Sequence, residues 1–242
     1  MDTDLLFRRN RLLSSLPSRE RKLLLPNLEA ISLKTKEKIN EAGSTLRYIH
    51  FPIDSAISMM DIEQHGRIVE VAVVGMEGCT GFNVLQGLSR APCRMIVQIG
   101  GSAFRLAVST VRSLLGRLPF LQHAFTTFND VLFRTAVTSV GCSQFHSVEQ
   151  RLGRWLLAHQ HRTGLSTFPF THDFLAEQLG VQRVTVTQAL SSFQGQGVVR
   201  YGYGEIHLLK SPAMKKLSCR CFPKVKNIIE EYLKQLRRVT SV

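Results

Sequence analysis

One predicted helix carries a face of hydrogen-bonding side chains that contains no acid. Its buried side shows the i, i+3, i+4, i+7 spacing of a single helix face, at Val186, Ala189, Leu190 and Phe193. The outward side then consists of Val184, Thr187, Gln188 and Ser191, flanked by Arg183 and Thr185. A helix that only had to be soluble would usually expose Glu and Lys, whereas Arg, Gln and Thr suit base edges and phosphates. The pattern therefore favours a surface that contacts nucleic acid.

The preceding residues predict a second, shorter helix that would support the first. Thr171 is a good N-cap, and Asp173 places a negative charge in the first turn, where the helix dipole favours it. Gly180 follows the last apolar residue, and glycine readily adopts the left-handed conformation that lets a chain turn sharply after a helix. We interpret the pair as a helix-turn-helix. An ordinary helical hairpin is the alternative that these residues alone leave open.

The stretch after these helices, GVVRYGYGEIHLL, predicts a β-hairpin. Its two strand-like runs, 198–201 and 205–209, are separated by a Gly-Tyr-Gly turn. A helix-turn-helix followed by such a hairpin is a winged helix. The candidate DNA-contacting residues are Thr171, Gln182, Arg183, Val184, Thr185, Thr187, Gln188 and Arg200.

The run from His146 to Lys210, which begins HSVEQRLGRWLLAHQHRTG, resembles the C-terminal domain of the Crp/Fnr family of bacterial transcription regulators. That resemblance implies a β-roll sensor domain, a long dimerisation helix and a winged helix-turn-helix. The segments YIHFPIDSAISMM, HGRIVEVAVVGMEGCTG and APCRMIVQIGGSAFRL resemble the family's β-roll. Independently of the resemblance, residues 31–106 show short apolar runs broken by turn residues such as QHGR, a pattern typical of an all-β sandwich or barrel.

The fold class is therefore predicted as α+β, with a cyclic-nucleotide-binding-like β-roll, or jelly roll, followed by helices. We predict a sensor domain with N-terminal helices at 1–118, a dimerisation helix at 119–145 and a DNA-binding domain with a C-terminal helix at 146–242. Family members that bind cyclic nucleotides hold the ribose with a Gly-Glu pair and the phosphate with an Arg-Ser pair. The corresponding stretches here are Gly81-Phe82 and Ala91-Pro92-Cys93-Arg94. We therefore predict a degenerate pocket and no dependence on cyclic AMP.

The helix predicted to end near Phe145 is apolar on almost every side, so it must be covered on every side. Only Asp130 and Arg134 are charged between Phe120 and Phe145, and they stand four apart, where they can pair. A coiled-coil spacing runs through Leu121, Phe125, Phe128, Leu132, Thr135, Ser139 and Cys142. A buried helix within one protomer is the alternative, but the family resemblance favours a dimer interface at these residues.

Two short patterns contain residue types that bind metals. His159 and His161 stand two positions apart, which on a helix does not place them on one face, so we interpret them as solvated. Cys219 and Cys221 form a C-x-C pair with no second ligand pair in the sequence, so we interpret them as structural. We predict no metal site and no cofactor, and cofactor-binding residues are not assigned. No nucleophile, base and orienting group combine into a catalytic set, so we predict no enzyme.

Composition indicates the partners. The 242 residues carry a formal charge of +13, which favours a polyanionic partner, and the shorter C-terminal part is the more basic one. Neither a secretory signal nor a membrane span is predicted, so we expect a cytoplasmic protein with five reduced cysteines and no membrane partner. The leading hypothesis is a homodimeric DNA-binding transcription regulator that would also contact RNA polymerase if it activates, with an unknown effector. The alternative is a small-molecule or redox-responsive sensor whose main output is protein contact.

Overall fold

The computed structural model describes residues 3–63 and 68–239. The helices of this part of the chain are α1 (Thr3–Arg9), α2 (Ser18–Leu24), α3 (Val108–Leu114), α4 (Pro119–Phe145), α5 (Val148–Thr163), α6 (His172–Leu179), α7 (Arg183–Gly195), α8 (Ser211–Leu217) and α9 (Cys221–Val239). The strands are β1 (Glu29–Leu33), β2 (Lys38–Asn40), β3 (Tyr48–Pro52), β4 (Ala56–Ile62), β5 (Ile68–Val74), β6 (Arg94–Ile99), β7 (Gly101–Ala107), β8 (Thr167–Phe168), β9 (Val199–Gly202) and β10 (Glu205–Leu208). Among these helices none is long and apolar enough to cross a bilayer.

The N-terminal strands form two antiparallel sheets, with strand orders β1-β7-β3 and β2-β6-β4-β5. Alternate side chains of both sheets point into one shared core, which includes Ile49, Phe51, Val97 and Phe104. The mixed α+β fold and the β-roll are thereby confirmed. The turn predicted at QHGR, residues 64–67, lies outside the described residues.

Helix α4 packs on the β-roll through the residues that were predicted to form the dimer seam. Leu121, Phe125, Phe128, Leu132, Thr135 and Cys142 are all buried within one protomer, and only Ser139 is half-buried. The ring of Phe128 lies so close to Gly78 that a Cβ on this glycine would overlap it. Phe128 also contacts Phe82 and Tyr232, with ring centroids 6.1 and 5.6 Å apart. The seam prediction is therefore wrong for the six buried residues, because their side chains are already covered within the protomer, and for the half-buried Ser139 it stays a prediction.

The other side of α4 presents a different apolar stripe to solvent. Phe133, Val137 and Val140 are 67%, 54% and 67% exposed, and they follow one another four and three residues apart. That spacing keeps three side chains on one line of a helix, as in a coiled-coil seam. The predicted pair of Asp130 and Arg134 is present beside the stripe, with an N–O distance of 3.7 Å.

Helix α9 connects the two halves of the protein. Its first apolar residue, Phe222, lies in the C-terminal core. The following apolar residues enter the core of the β-roll beside α4, and they are Val225, Ile228, Ile229, Tyr232, Leu233 and Leu236. The guanidinium of Arg11 donates two hydrogen bonds to Glu230 of α9, at 3.0 and 2.8 Å. The C-terminal helix, which the sequence assigned to the DNA-binding domain, thus completes the N-terminal core.

A buried polar contact joins the two halves at a second place. The Nε atom of Arg162, at the end of α5, donates to Oε1 of Glu77 and to the carbonyl of Val73, both at 3.1 Å. Both charged side chains are almost fully buried, with 5% and 3% exposed. Nearby, Trp155 of α5 donates from Nε1 to the carboxylate of Glu70 at 3.1 Å. These contacts set the orientation of α5 relative to the β-roll.

Candidate nucleic-acid interface

Helices α6 and α7 form the helix-turn-helix in the way the sequence predicts. The Thr171 hydroxyl accepts a hydrogen bond from the amide of Phe174 at 3.2 Å, which caps α6. Gly180 ends α6 with φ of 63°, the left-handed conformation in which glycine is favoured. The amide of Val181 then returns to the carbonyl of Ala176 at 3.0 Å and closes the turn. Capping and turn chemistry therefore fix where α7 begins.

The buried side of α7 is the predicted one, since Val186, Ala189, Leu190 and Phe193 are all buried in the core of the C-terminal domain. The predicted outward residues divide into two groups. Gln182, Arg183, Val184, Gln188 and Ser191 are exposed, whereas Thr185 and Thr187 are half-buried. Helix α7 thus presents one polar ridge to solvent, with the side chain of Val184 as its apolar element.

Two residues of α6 hold the first turn of α7 by direct contacts. Nε of Arg183 lies 3.2 Å from the carboxylate of Asp173, in an ion pair exposed to solvent. The Thr187 hydroxyl lies 2.9 Å from Nδ1 of His172 and donates to the carbonyl of Arg183 at 3.1 Å. Burial lowers the pKa of His172, and the charge of Arg183 acts in the same direction. The contact between His172 and Thr187 therefore joins α6 to α7.

The predicted wing is present as the hairpin of β9 and β10, and a third short strand, β8, extends it. Tyr203 and Gly204 form the turn with φ of 51° and 78°, as a two-residue hairpin with positive φ at both positions requires. Tyr203 is fully exposed at the tip, and Arg200 is exposed on β9. The hydroxyl of Tyr201 lies 3.1 Å from that of Ser191, which connects the wing to the ridge of α7.

Comparisons with known proteins agree with this geometry. Residues 150–217 match the family model of the Crp-like helix-turn-helix domain. The transcriptional regulator SdrP of Thermus thermophilus is 39% identical over 62 residues, which cover 26% of this chain and 30% of SdrP. The structure of FixK2 from Bradyrhizobium japonicum superposes with a TM-score of 0.66 and 17% identity, covering 79% of this chain and 98% of FixK2.

A transcriptional regulator of the Crp/Fnr family from Thermus thermophilus superposes with a TM-score of 0.56 and 21% identity, covering 78% of this chain and 98% of that one. Residues 150–217 are thus a Crp-like helix-turn-helix domain, and the chain as a whole has the fold of these Crp/Fnr structures. Its C-terminal domain is the Crp-like helix-turn-helix, and its N-terminal domain has the β-roll fold of these relatives.

The residues of the two stretches that correspond to the cyclic-nucleotide positions of other Crp/Fnr proteins make contacts within this chain. Phe82 is buried in the core, where its ring meets that of Phe128 edge to face. Nε of Arg94 donates to the carboxylate of Glu41 at 2.7 Å, and Arg90, the residue just before the second stretch, donates from Nη1 to the carbonyl of Gly43 at 2.8 Å. The two arginines are therefore held by protein groups.

Several features of the site depend on tertiary contacts that the sequence does not reveal. His172 and Tyr201 lie beside the α7 ridge, and their rings are 5.0 Å apart. The interpretation of His159 and His161 as solvated is wrong. His159 is buried against Trp155, and desolvation by this burial lowers the pKa of His159 to about 3. His161 lies against Glu230, and its side chain is 16% exposed. Periodicity alone does not reveal these contacts, since each histidine packs against residues distant in sequence.

The C-x-C pair also has partners that the sequence does not reveal. Cys142 and His146, at the end of α4, come together with Cys219 and Cys221. Cys142 and His146 therefore form a second ligand pair beside Cys219 and Cys221, contrary to the prediction, although they do not form a C-x-C motif. Within the described residues, this is a set of four metal-ligating side chains from two separate segments.

Proposed function

We propose that this chain is a transcription regulator of the Crp/Fnr family that binds DNA sequence-specifically and acts as a homodimer. The observation that carries the proposal is the exposed polar ridge of α7 beside an exposed wing, in a domain that matches the Crp-like helix-turn-helix. The ridge combines an Arg, two Gln and a Val, which can donate to, accept from and contact base edges in the major groove. The formal charge of +13 supports a polyanionic partner.

The proposed roles follow from side-chain chemistry. Arg183 has the two-pronged guanidinium that suits O6 and N7 of guanine, so we expect one guanine in each half-site. Val184 offers a methyl surface for thymine, and Gln188 pairs best with adenine. The half-site should therefore be rich in A·T around that guanine. Arg200 on the wing and the amide end of α6 at Thr171 are expected to contact phosphates, which contribute affinity without sequence preference.

The proposed dimer forms through the exposed stripe of α4, at Phe133, Val137 and Val140. Large apolar side chains that follow a seam spacing on a long helix are typically covered by a partner helix. Two-fold pairing along α4 would place two copies of α7 on one side of the molecule. The two half-site centres should then lie about one helical turn, ~34 Å, apart.

We further propose that DNA binding does not depend on cyclic AMP. A phenylalanine cannot accept a hydrogen bond from a ribose hydroxyl, and Phe82 is itself part of the core. Arg94 pairs with Glu41, which neutralises its charge. Hydrogen bonds from Lys38, which contributes most, and from Arg94 lower the pKa of Glu41. A cyclic phosphate would have to displace this ion pair.

A selection of binding sites from random DNA tests the proposal directly. Purified full-length protein is expected to enrich one pseudo-palindrome with A·T-rich half-sites, and to enrich the same sequence with and without cyclic AMP. Sedimentation of the selected complex should give two chains per duplex. Recovery of no common sequence would contradict sequence-specific binding, and a motif that appears only with cyclic AMP would contradict the independence from this nucleotide.

A further inference from the structure

Four metal-ligating side chains converge where α4 meets the C-terminal domain. The ligand atoms of Cys142, His146, Cys219 and Cys221 all lie within 4.8 Å of one another. The sulfur atoms of Cys142 and Cys219 are 3.6 Å apart, and the sulfur of Cys221 is 3.8 Å from Nδ1 of His146. The DNA-binding role proposed for α7 and the wing uses none of these residues, and none of them belongs to the α7 ridge.

Backbone structure holds each pair in place. Cys142 lies in the last turn of α4, and His146 is the residue that follows this helix, where its amide donates a hydrogen bond to the Cys142 carbonyl at 3.3 Å. Cys219 precedes α9, and its amide bonds the carbonyl of Gln150 in the first turn of α5 at 3.4 Å. Cys221 is the first residue of α9. The cluster therefore connects the ends of α4, α5 and α9.

The spacing fits a tetrahedral zinc site. With Zn–S bonds of about 2.3 Å and Zn–N bonds of about 2.0 Å, the edges of a tetrahedron measure about 3.8 Å between two sulfurs and about 3.5 Å between sulfur and nitrogen. The distances between Cys142 and Cys219 and between Cys221 and His146 are within ~0.3 Å of these edges. Three cysteines and one histidine are also a ligand set of structural zinc sites.

We propose that Cys142, His146, Cys219 and Cys221 bind one Zn²⁺ ion in a closed tetrahedral site. The thiols lose their protons to solvent as the metal–sulfur bonds form, and no electron is transferred. His146 binds through Nδ1, the atom that faces Cys221. Because all four positions are taken by protein atoms, the ion has no open position for a substrate, and its role is structural.

The surroundings of the cluster suit an anionic centre. Three thiolates around Zn²⁺ leave one negative charge, and the positive charge of Arg154 lies near all three cysteines. The Nε atom of Arg154 is buried and has no hydrogen-bond partner within the described part of the chain. Cys142 and Cys219 are buried, whereas His146 and Cys221 are partly exposed, so an ion can reach the site from solvent.

The position of the site gives the ion a mechanical consequence. Only His146 and Ser147 separate α4 from α5, so this junction sets the direction in which the C-terminal domain leaves α4. An ion that joins Cys142 and His146 to Cys219 and Cys221 would hold the junction in its present geometry. Metal loss would free α4 to move relative to α5 without altering any residue of the helix-turn-helix.

Metal titration of the full-length protein tests the proposal. We expect one Zn²⁺ per chain after purification under reducing conditions, with metal removal lowering the unfolding midpoint and Zn²⁺ addition restoring it. Co²⁺ should replace zinc and give visible absorption bands of a tetrahedral site, together with thiolate-to-cobalt charge transfer. A cobalt spectrum of octahedral character, or less than about half an equivalent of zinc, would overturn the proposal.

Matched variants separate the site from adventitious binding. Cys221→Ser and His146→Gln change partly exposed ligands and should each weaken Co²⁺ affinity by at least about tenfold. Cys93→Ser, at a half-buried cysteine of the β-roll, is the control and should leave the affinity unchanged. Equal affinities in all three variants would overturn the assignment.

Formation of a Cys142–Cys219 disulfide in air, with no metal bound by the reduced protein, would also overturn it and identify a redox pair. Loss of zinc with intact DNA binding would leave the proposed function standing, because the α7 ridge is separate from the ligands.

Discussion

At the scale of single residues, Arg183 is the side chain on which the proposed sequence preference depends most. It is exposed at the start of α7, and its ion pair with Asp173 is exposed too, with the two side chains 66% and 73% accessible. Ion pairs of this kind contribute little stability, so the guanidinium is free to exchange Asp173 for a guanine edge. The acid nearby then orients the guanidinium in the absence of DNA.

Replacing Arg183 with alanine should reduce affinity for the selected site by roughly 1 to 3 kcal/mol and relax the preference at one guanine alone, because a two-pronged contact to one base is lost. Binding of base-substituted sites by electrophoretic mobility shift measures this. Arg200→Ala is the control, since loss of a phosphate contact should weaken all sequences alike and reduce the salt dependence. Equal weakening of specific and random DNA by Arg183→Ala would assign Arg183 to a phosphate instead.

At the scale of elements, the two faces of α4 have separate tasks. The inward face packs Phe128 on Gly78 and Tyr232, and the outward face exposes Phe133, Val137 and Val140. Arg134 stands beside the outward stripe and bridges Asp130 and Glu231 of α9, at 3.7 and 3.6 Å. Substitutions on the two faces should therefore produce different defects.

We expect Phe133→Glu to lower dimerisation and specific DNA affinity together while leaving the unfolding free energy of the protomer within about 0.5 kcal/mol, because the glutamate remains solvated in the monomer. Phe128→Ala should instead cost about 3 to 5 kcal/mol of protomer stability, since it leaves a cavity in the core. Sedimentation and urea unfolding measure the two effects. Leu88→Glu, at an apolar side chain of the β-roll that is 55% exposed, is the matched control. Unchanged dimerisation of Phe133→Glu would place the interface elsewhere.

At the scale of the whole molecule, the ion pair between Arg162 and Glu77 joins the β-roll to the C-terminal domain. Both side chains are buried, and Oε2 of Glu77 has no hydrogen-bond partner in the described residues. A backbone hydrogen bond supports the same contact, since the amide of Met76 donates to the carbonyl of Arg162 at 3.0 Å. Breaking a buried pair costs more than forming it gains, because one charge is left without a partner.

Glu77→Gln should therefore lower the unfolding free energy by about 3 to 5 kcal/mol. Because the pair lies between the two halves, the variant should also separate the unfolding of the C-terminal domain from that of the β-roll. Urea unfolding followed by Trp155 fluorescence and by circular dichroism measures both effects. Glu29→Gln breaks an exposed pair with Arg105 and should cost less than about 1 kcal/mol. A loss of similar size in the two variants would show that the buried pair does not hold the halves together.

The sequence by itself determined the elements whose signals are local. The cap at Thr171, the turn at Gly180 and the buried face of α7 follow from residue type and spacing, as do the wing and the strands of the β-roll. Each of these elements depends on interactions between residues that are close in sequence, so the local sequence is enough to specify it. The same local chemistry explains the capping box of Ser147 and Gln150 at the start of α5.

Only the tertiary structure decided which side of α4 is covered by the protomer. That helix is apolar on nearly all sides, so periodicity offers several equivalent seams, and the packing of α9 and the Gly78 segment selects one of them. The cysteine cluster also depends on tertiary packing, since Cys142 and Cys219 are 77 residues apart and meet only when α9 packs beside α4. Contacts between segments so distant in sequence depend on the packing of the whole fold, which residue spacing does not encode.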